Sequence, residues 1–340
     1  MPPAASAPRL ESLRHWFASQ HDLAIAACEL RLAAGDASFR RYYRASLPDG
    51  QTRILMDAPP AQEDSHPFVA IARQWEAAGL PVPHLYAVDL EAGFLELEDL
   101  GDTPLSARFD DEATTLAWHQ RAIELLHRLQ AAAPTQGLPA YDAALLGREL
   151  DLFPDWCLAW LALPTPPSWP ALREALIDSA LAQPRVAVHR DFDAMNLMVQ
   201  GETLTLIDFQ DAVAGPPSYD LISLLRGRYR RFDAETFATF VDAFRRRAQA
   251  EGRLDAELDA ATFHHQVAAM AAQRALKVLG IFCRLTHRDH KTGYLARLPH
   301  FLNHLRDSLA GLPAHGDFAA WLENDFTPAL TRALAREGVE

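Results

Sequence analysis

The stretch VHRDFDAMNLMVQGETLTLIDFQ, residues 188–210, combines one histidine and several aspartate and asparagine side chains with two short apolar runs. NLMV and TLTLIDF are typical of β-strands, and Gln200-Gly201-Glu202 between them is typical of a hairpin loop. With the centre of the turn at residue 202, Asn196 is predicted to lie opposite Asp208. Directly opposed residues have Cβ atoms about 4.5–5.5 Å apart. We therefore expect an amide and a carboxylate to meet at the open end of this hairpin.

This pattern of oxygen-bearing side chains is typical of phosphoryl transfer. Asn196 and Asp208 supply the oxygen ligands that Mg²⁺ prefers, and nucleotide phosphates and water complete such a site. Asp191 is then available to orient and deprotonate a substrate hydroxyl. The order His-x-Asp-x-x-x-x-Asn, followed after a hairpin by Asp-Phe, is the kinase order of base and metal ligands. The sequence therefore predicts an ATP- and Mg²⁺-dependent kinase.

Other chemistries fit these residues less well. Asp191 and Asp193 are two residues apart on one loop, whereas the carboxylates of glycosidases flank the bond at a defined separation. His189 is not followed by further histidines at metal-ligand spacing, and the sequence contains no G-x-S-x-G or Walker A motif. Turn chemistry explains each polar residue singly, but it does not explain their joint spacing.

Composition limits the possible partners. The chain has 340 residues, 49% hydrophobic and 23% charged, and a net charge of −13. Such a surface repels nucleic-acid phosphates and anionic lipids, so we expect a small-molecule substrate and neither nucleic-acid nor membrane partners. The three cysteines lack CxxC spacing and predict buried thiols. Because no export signal or membrane-spanning run is visible, we expect a cytoplasmic protein, and we expect it to be a monomer.

The two parts of the chain differ in their predicted elements. Residues 1–100 contain strand-like runs with a hairpin signal at Pro48-Asp49-Gly50, one helix near 8–20 and another near 66–79. Beyond about residue 111 the pattern is mostly helical. This predicts an α+β fold with a β-rich nucleotide-covering lobe (1–100) and a helical catalytic and substrate lobe (101–340). The strand-like runs are CELRLAA, SFRRYYRASL, TRILMDA, HLYAVD and GFLELED, and the helical ranges are 111–132, 141–163, 168–182 and 217–337.

The motif His189-Arg190-Asp191 with Asn196, followed by Ile207-Asp208-Phe209, resembles that of the aminoglycoside phosphotransferase/choline kinase family of small-molecule kinases. The resemblance implies a protein-kinase-like bilobal fold. Four longer stretches resemble the branch of the family that phosphorylates the C1 hydroxyl of N-acetylmuramate and N-acetylglucosamine in cell-wall recycling. A kinase for an aminoglycoside or choline-type alcohol, or a non-catalytic nucleotide-binding module, remains an alternative. The four stretches are GDASFRRYYR (35–44), LMDAPPAQED (55–64), ELDLFPDW (149–156) and KVLGIFCRLTHRDHKTGYL (277–295).

The resemblance also implies roles for individual residues. Asp191 resembles the catalytic base, and Asn196 and Asp208 resemble the magnesium ligands. His189 is expected to hold the loop by hydrogen bonds, and Asp220 resembles a structural support of that loop, although an N-cap would explain it too. The residues that resemble the loop over the ATP phosphates are Gly35, Asp36, Ala37 and Ser38, and those that resemble the adenine-pairing hinge are Glu98, Asp99 and Leu100.

One position departs from the kinase pattern. Kinases carry a lysine on the third strand that holds the α- and β-phosphates, and Met56 occupies the matching position here. Lys277 and Lys291 are the only lysines in the sequence. The phosphate charge is therefore predicted to meet metal or arginine, with Arg40, Arg41 and Arg44 as the candidates.

Candidates for substrate contacts lie in the second lobe. Phe192 and Asp193 flank the predicted base and would pack against and hydrogen-bond a sugar, and Glu149 and Trp156 lie on a predicted helix. The anionic lactyl group of N-acetylmuramate requires a cation. Arg274 and Arg284 are the candidates, and the sequence does not choose between them.

Overall fold

The computed structural model describes residues 7–35 and 39–339, and it begins with a helix followed by a five-stranded antiparallel sheet. The strand order is β1-β2-β3-β5-β4, and the second helix is inserted between β3 and β4. Five strands with one inserted helix were predicted, and the structure confirms this pattern. The bounds are α1 Ala7–Gln20, β1 Leu30–Gly35, β2 Arg41–Ser46, β3 Thr52–Asp57, α2 His66–Ala77, β4 Leu85–Asp89 and β5 Phe94–Glu98.

The hairpin between β2 and β3 and the packing of α1 fix the direction of the β2 side chains. Gly50 has a φ of 85°, and the backbone N–H of Leu47 donates to the carbonyl of Gln51 at 2.8 Å. Tyr43 and Leu55 are buried against α1. Because side chains alternate along a strand, the odd-numbered residues of β2 face α1 and the even-numbered residues face the other side.

A second hairpin, residues 195–211, belongs to the same compact unit as the sheet. The backbone N–H of Val199 donates to the carbonyl of Thr103, and that of Leu206 donates to the carbonyl of Pro81, both at 2.8 Å. In the chain, this hairpin follows residue 100, the predicted boundary between the two lobes. Its strands are β7 Leu197–Gln200 and β8 Thr203–Leu206.

The second compact unit is mainly helical, as the sequence predicted, and contains a short antiparallel pair of strands. The range 141–163 forms two helices separated by a π-helical segment, Phe153–Leu158. The remaining elements are α3 Glu112–Ala132, α4 Ala143–Leu152, α5 Ala159–Leu161, α6 Trp169–Leu181, β6 Val186–Val188, β9 Val213–Gly215, α7 Ser218–Leu225, α8 Ala234–Ala250, α9 Ala260–His287, α10 Leu298–Ala310, α11 Gly316–Trp321 and α12 Thr327–Arg336.

The long helix α9 packs closely on α4. A Cβ atom at Gly280 would lie 2.4 Å from the carbonyl carbon of Leu152, so only glycine permits this approach. The contact brings the central turns of α9 beside Glu149 of α4. The cysteines Cys28, Cys157 and Cys283 are buried and free, as predicted. Among the described residues, no helix combines the length and apolar character that a membrane span requires.

Candidate active site

The loop that follows β6 carries Asp191 and is held by Asp220 of α7. The Asp220 carboxylate accepts the backbone N–H of His189 at 2.7 Å and that of Arg190 at 3.0 Å. The backbone N–H of Asp191 donates to Nδ1 of His189 at 3.3 Å. Since β6 pairs with β9 and α7 follows β9 directly, the loop and the first turn of α7 lie side by side. Asp191 is exposed, and the backbone of its loop is held by the buried carboxylate of Asp220.

Asp220 supports the loop, and its side chain does not cap α7. The N-cap of α7 is Pro217, and Asp220 is fully buried within the helix. Burial raises the pKa of the Asp220 carboxyl to about 7, against the effect of the two backbone N–H donors, which lower it. The charge of Asp191 raises this pKa as well. The structure thus confirms the supporting role that was inferred from the sequence, and His189 holds the loop as expected.

The second predicted group of residues lies at the open end of the β7–β8 hairpin. Leu197 pairs with Leu206, so Asn196 lies opposite Ile207, whose backbone N–H donates to the Asn196 carbonyl at 3.0 Å. The predicted pairing of Asn196 with Asp208 is therefore wrong by one residue. The cause is a two-residue turn, with Gly201 in the left-handed region at φ 62°, in place of a turn centred on residue 202.

The position of Asp208 depends on its own backbone and on the residue after it. Asp208 has a φ of 63° and leaves the strand, so the strand pleat no longer sets its side-chain direction. Phe209 is fully buried and packs on Phe68 and Trp75 of α2. Nε2 of Gln210 donates to Oδ1 of Asp208 at 2.9 Å. The hairpin end thus presents an amide and a carboxylate, the donor types that suit Mg²⁺.

The sheet separates the three candidate arginines. Arg41 lies on the α1 face and opposite Asp57, whose Oδ1 accepts Nε of Arg9 from α1 at 2.6 Å. Arg44 donates to both oxygens of Asp99, at 2.5 and 2.9 Å, and to Asp102 at 2.9 Å. Arg44 therefore binds the predicted hinge.

Arg40 has a different partner. Its Nη2 lies 3.5 Å from Oε2 of Glu63, and the backbone N–H of Phe39 donates to the other oxygen of Glu63 at 3.1 Å. Arg40 is 8% exposed. Arg40 just precedes β2 and Glu63 just precedes α2, so an arginine–glutamate pair joins the two segments that lead into these elements. In the predicted phosphate-covering loop, Gly35 ends β1, and Asp36, Ala37 and Ser38 lie outside the described residues.

The hinge is anchored through the carboxylate of Asp99. Glu98 ends β5, and its backbone N–H donates to the carbonyl of His84 at 2.9 Å. Burial raises the pKa of the Asp99 carboxyl. The hydrogen bonds from Arg44 and from other donors around this carboxyl outweigh burial and leave the pKa below its usual value. Leu100 is buried. A charged Asp99 at neutral pH keeps the hinge tied to β2.

The candidates for substrate contacts differ in their exposure: four are buried and two are half-buried. Phe192 is fully buried edge-on against His189, and Glu149 is 5% exposed among polar partners, so both lie beneath the surface. Asp193 is also buried, and its Oδ2 lies 3.3 Å from Nε of Arg228. Arg274 is buried, whereas Trp156 and Arg284 are half-buried.

Four side chains surround the Glu149 carboxylate, and the sequence alone predicts no role for them as its partners. Lys277 and Arg190 both donate to its Oε1, and Tyr141 and Gln273 donate to its Oε2. In the sequence, Lys277 begins one of the four stretches that resemble the sugar-kinase branch of the family, and Glu149 begins another. Neither stretch indicates that their side chains meet.

This chain is similar to known proteins in sequence and in fold. The model of the phosphotransferase enzyme family matches residues 29–260. The N-acetylmuramate/N-acetylglucosamine kinase of Pseudomonas putida is 39% identical over 90% of this chain and 93% of its own length. The enzyme of the same name from Pseudomonas aeruginosa is 40% identical over 84% of this chain and 85% of its own length. A choline/ethanolamine kinase family protein from Mesorhizobium loti has the same fold, with a TM-score of 0.59 at 18% identity over 96% of this chain and 99% of its own.

Proposed function

This chain belongs to the phosphotransferase enzyme family and is a small-molecule kinase, and from that premise we propose that it transfers the γ-phosphoryl group of ATP to the C1 hydroxyl of N-acetylmuramate and N-acetylglucosamine. The observation that carries the proposal is the similarity to kinases of that name, at 39–40% identity over 84–90% of the chain.

Asp191 is the base in this proposal. Its exposure on a loop whose backbone is fixed by Asp220 supports this role. An anomeric hydroxyl is more acidic than an ordinary alcohol, so the carboxylate need only orient it and accept its proton late. The transition state of phosphoryl transfer is loose, and positioning and charge neutralisation supply most of the catalysis.

Asn196 and Asp208 would hold Mg²⁺ through their side-chain oxygens. Their donor types at the open end of the hairpin support this role. The bound cation neutralises charge on the phosphates. The chain's own contribution is to fix the carboxylate, through the left-handed backbone of Asp208 and the buried ring of Phe209.

Arg40 takes the role that lysine has in other kinases. The pair between Arg40, just before β2, and Glu63, just before the inserted helix, is analogous to the lysine–glutamate pair of kinases. Arg41 lies on the α1 face, and Arg44 is bound to Asp99. We assign the ATP phosphates to Arg40 and the loop 35–38, and adenine to the backbone of hinge residues 98–100.

Arg284 is the better candidate for the lactyl carboxylate of N-acetylmuramate. Nε of Arg284 is buried and has no hydrogen-bond partner within the described residues. Burial lowers its pKa, and the neighbouring charge of Arg288 lowers it too. Arg284 lies seven residues after Lys277, two turns along the same face of α9. Arg274 is instead buried beside Asp220.

The proposal is tested by an acceptor screen with a coupled assay of ADP release. N-acetylmuramate and N-acetylglucosamine should support turnover, and choline and kanamycin should not. The decisive comparison is the 1-O-methyl glycoside of N-acetylglucosamine, which has no free C1 hydroxyl and should be inert. Phosphorylation of this glycoside at the rate of the free sugar would refute C1 as the acceptor, and phosphorus NMR of the product identifies the position modified.

A further inference from the structure

Glu149 lies at the centre of a buried network behind the catalytic loop. Its Oε1 accepts Nη2 of Arg190 at 2.5 Å and Nζ of Lys277 at 2.8 Å. Its Oε2 accepts Nε2 of Gln273 at 3.1 Å and the hydroxyl of Tyr141. The carboxylate is thus fully hydrogen-bonded, and a satisfied buried network of this kind holds its members in one arrangement.

Lys277 also connects this network to α7. Its Nζ donates to the hydroxyl of Tyr219 at 2.9 Å. Tyr219 directly precedes Asp220, which binds the backbone of Arg190. The contacts therefore form a closed ring that runs from the Arg190 backbone through α7, Lys277 and Glu149 to the Arg190 side chain. Lys277 is the member that closes it.

One member of the ring, Arg190, has a strained backbone. Arg190 has a φ of 72°, in the left-handed region, which is unfavourable for a residue other than glycine. Asp220 holds its backbone and Glu149 holds its guanidinium. Release of either end would favour an ordinary φ at this residue and would rotate the next residue, Asp191.

The charges of the network are maintained at neutral pH. Burial raises the pKa of Glu149, but Lys277 and Arg190 outweigh this and lower it to about 2. Burial lowers the pKa of Lys277, yet Tyr219 and Glu149 hold it above its ordinary value, and the charge of Asp191 contributes in the same direction. Two cations face one Glu149 carboxylate, so the network carries one net positive charge within electrostatic reach of Asp191.

Stability alone does not account for a lysine at this place. Removing an ammonium from water is unfavourable, and apolar residues of similar size often replace a buried ion pair without loss of stability. We propose that Lys277 is a positioning residue for phosphoryl transfer: by closing the ring it holds Arg190 and Asp191 in the geometry the reaction needs. The proposal rests on the proposed kinase function and assigns to it a residue that acts through the base.

The test compares variants of one position with a matched control. Lys277→Met removes the charge and keeps the length of the side chain, and Lys277→Arg restores a cation. Arg253→Met is the control, because Arg253 is another largely buried cation of the helical unit, paired with Glu251 at 2.6 Å and with Gln130 at 2.9 Å. Tyr219→Phe removes only the hydroxyl that Lys277 binds, and it keeps the test open if Lys277→Met does not fold.

Two readouts are measured well below each variant's melting temperature. In Lys277→Met, kcat should fall about 10²-fold, as small displacements of a catalytic group do, with the KM for ATP nearly unchanged. Lys277→Arg should recover part of the loss, and Tyr219→Phe should show a smaller loss. Amide hydrogen exchange at His189 and Arg190 should accelerate in Lys277→Met and remain at the wild-type rate in Arg253→Met.

The outcomes separate this proposal from the proposed function. If Lys277→Met loses no more kcat than Arg253→Met, or if exchange at residues 189–190 is unchanged, Lys277 does not position the loop. The exchange measurement needs no acceptor. A wild-type protein that phosphorylates none of the sugars, combined with faster exchange in Lys277→Met, would overturn the substrate assignment and support the coupling of Lys277 to the loop.

Discussion

Phe209 stacks on Phe68 of α2, with ring centroids 4.9 Å apart and ring planes inclined by 21°. The contact ties the residue after Asp208 to the helix inserted in the sheet. Asp208 itself is in the left-handed region, so the buried ring of Phe209 and this backbone bend fix the carboxylate together. A change to the Asp208 side chain alone should therefore leave its surroundings in place.

Asp208→Asn should abolish turnover and leave the fold intact. The substitution keeps the shape and removes the anionic oxygen for the cation, at a cost in kcat of at least about 10²-fold, as for other losses of charge stabilisation at a reaction centre. Activity is measured over a range of Mg²⁺ concentrations, and thermal unfolding is measured in parallel. Asp110→Asn, at an exposed aspartate elsewhere, is the control. Near-native activity of Asp208→Asn would show that the cation does not depend on this carboxylate.

Arg40 and Arg41 should differ in their effect on ATP. Arg40→Ala should raise the KM for ATP and lower kcat by about 10–10²-fold through lost charge stabilisation, and Arg40→Lys should recover part of both. Arg41→Ala should leave the KM for ATP nearly unchanged, because Arg41 lies on the α1 face opposite Asp57. Steady-state kinetics with ATP as the varied substrate distinguish them. Equal effects of Arg40→Ala and Arg41→Ala would contradict the assignment.

The stability of the protein should depend on pH through Asp220. The folded pKa is raised to about 7 by burial, whereas the unfolded chain releases this proton near its ordinary pKa. Between about pH 4 and 7 the folded state therefore binds the additional proton, and stability is lost as the pH rises, by at most about 1.4 kcal/mol per pH unit. Above the pKa of the folded state, the free energy of unfolding no longer changes with pH through Asp220.

The measurement is the difference in the free energy of unfolding between wild type and Asp220→Asn, taken from urea titrations at several pH values. Because Asn does not titrate, other groups largely cancel in this difference. The advantage of the wild type should shrink as the pH rises from about 4 to 7 and then level off. An advantage that grows with pH would mean that the N–H donors of His189 and Arg190 outweigh burial and keep Asp220 ionised.

The local signals in the sequence were sufficient to predict the strands of the sheet and the mainly helical part of the chain. Hairpin residues such as Gly50, and the alternating apolar runs, act over a few residues, and the structure confirms the strands that they predict. Register was not predictable in the same way. A turn one residue shorter than assumed shifted the pairing of Asn196 from Asp208 to Ile207.

The contacts that hold the loop depend on long-range packing. Glu149 and Lys277 are 128 residues apart and meet because α9 packs on α4 at Gly280. The choice among the arginines likewise depends on acidic partners on other elements, Glu63 for Arg40 and Asp99 for Arg44. Residue type and spacing carry no signal for such pairs, so the sequence supplied the candidates and the fold separates them.

Asp191→Asn tests the base itself. The amide keeps the shape of the side chain and its place on a loop bound to Asp220, but it does not accept a proton. We expect kcat to fall by about 10²–10⁴-fold, the usual contribution of a general base. The affinity for ATP, measured by direct binding, should be nearly unchanged, because the phosphates are assigned to Arg40 and the metal ligands. A variant that retains the wild-type kcat would show that C1 oxygen attack needs no carboxylate, and one that loses ATP binding would place Asp191 among the nucleotide contacts.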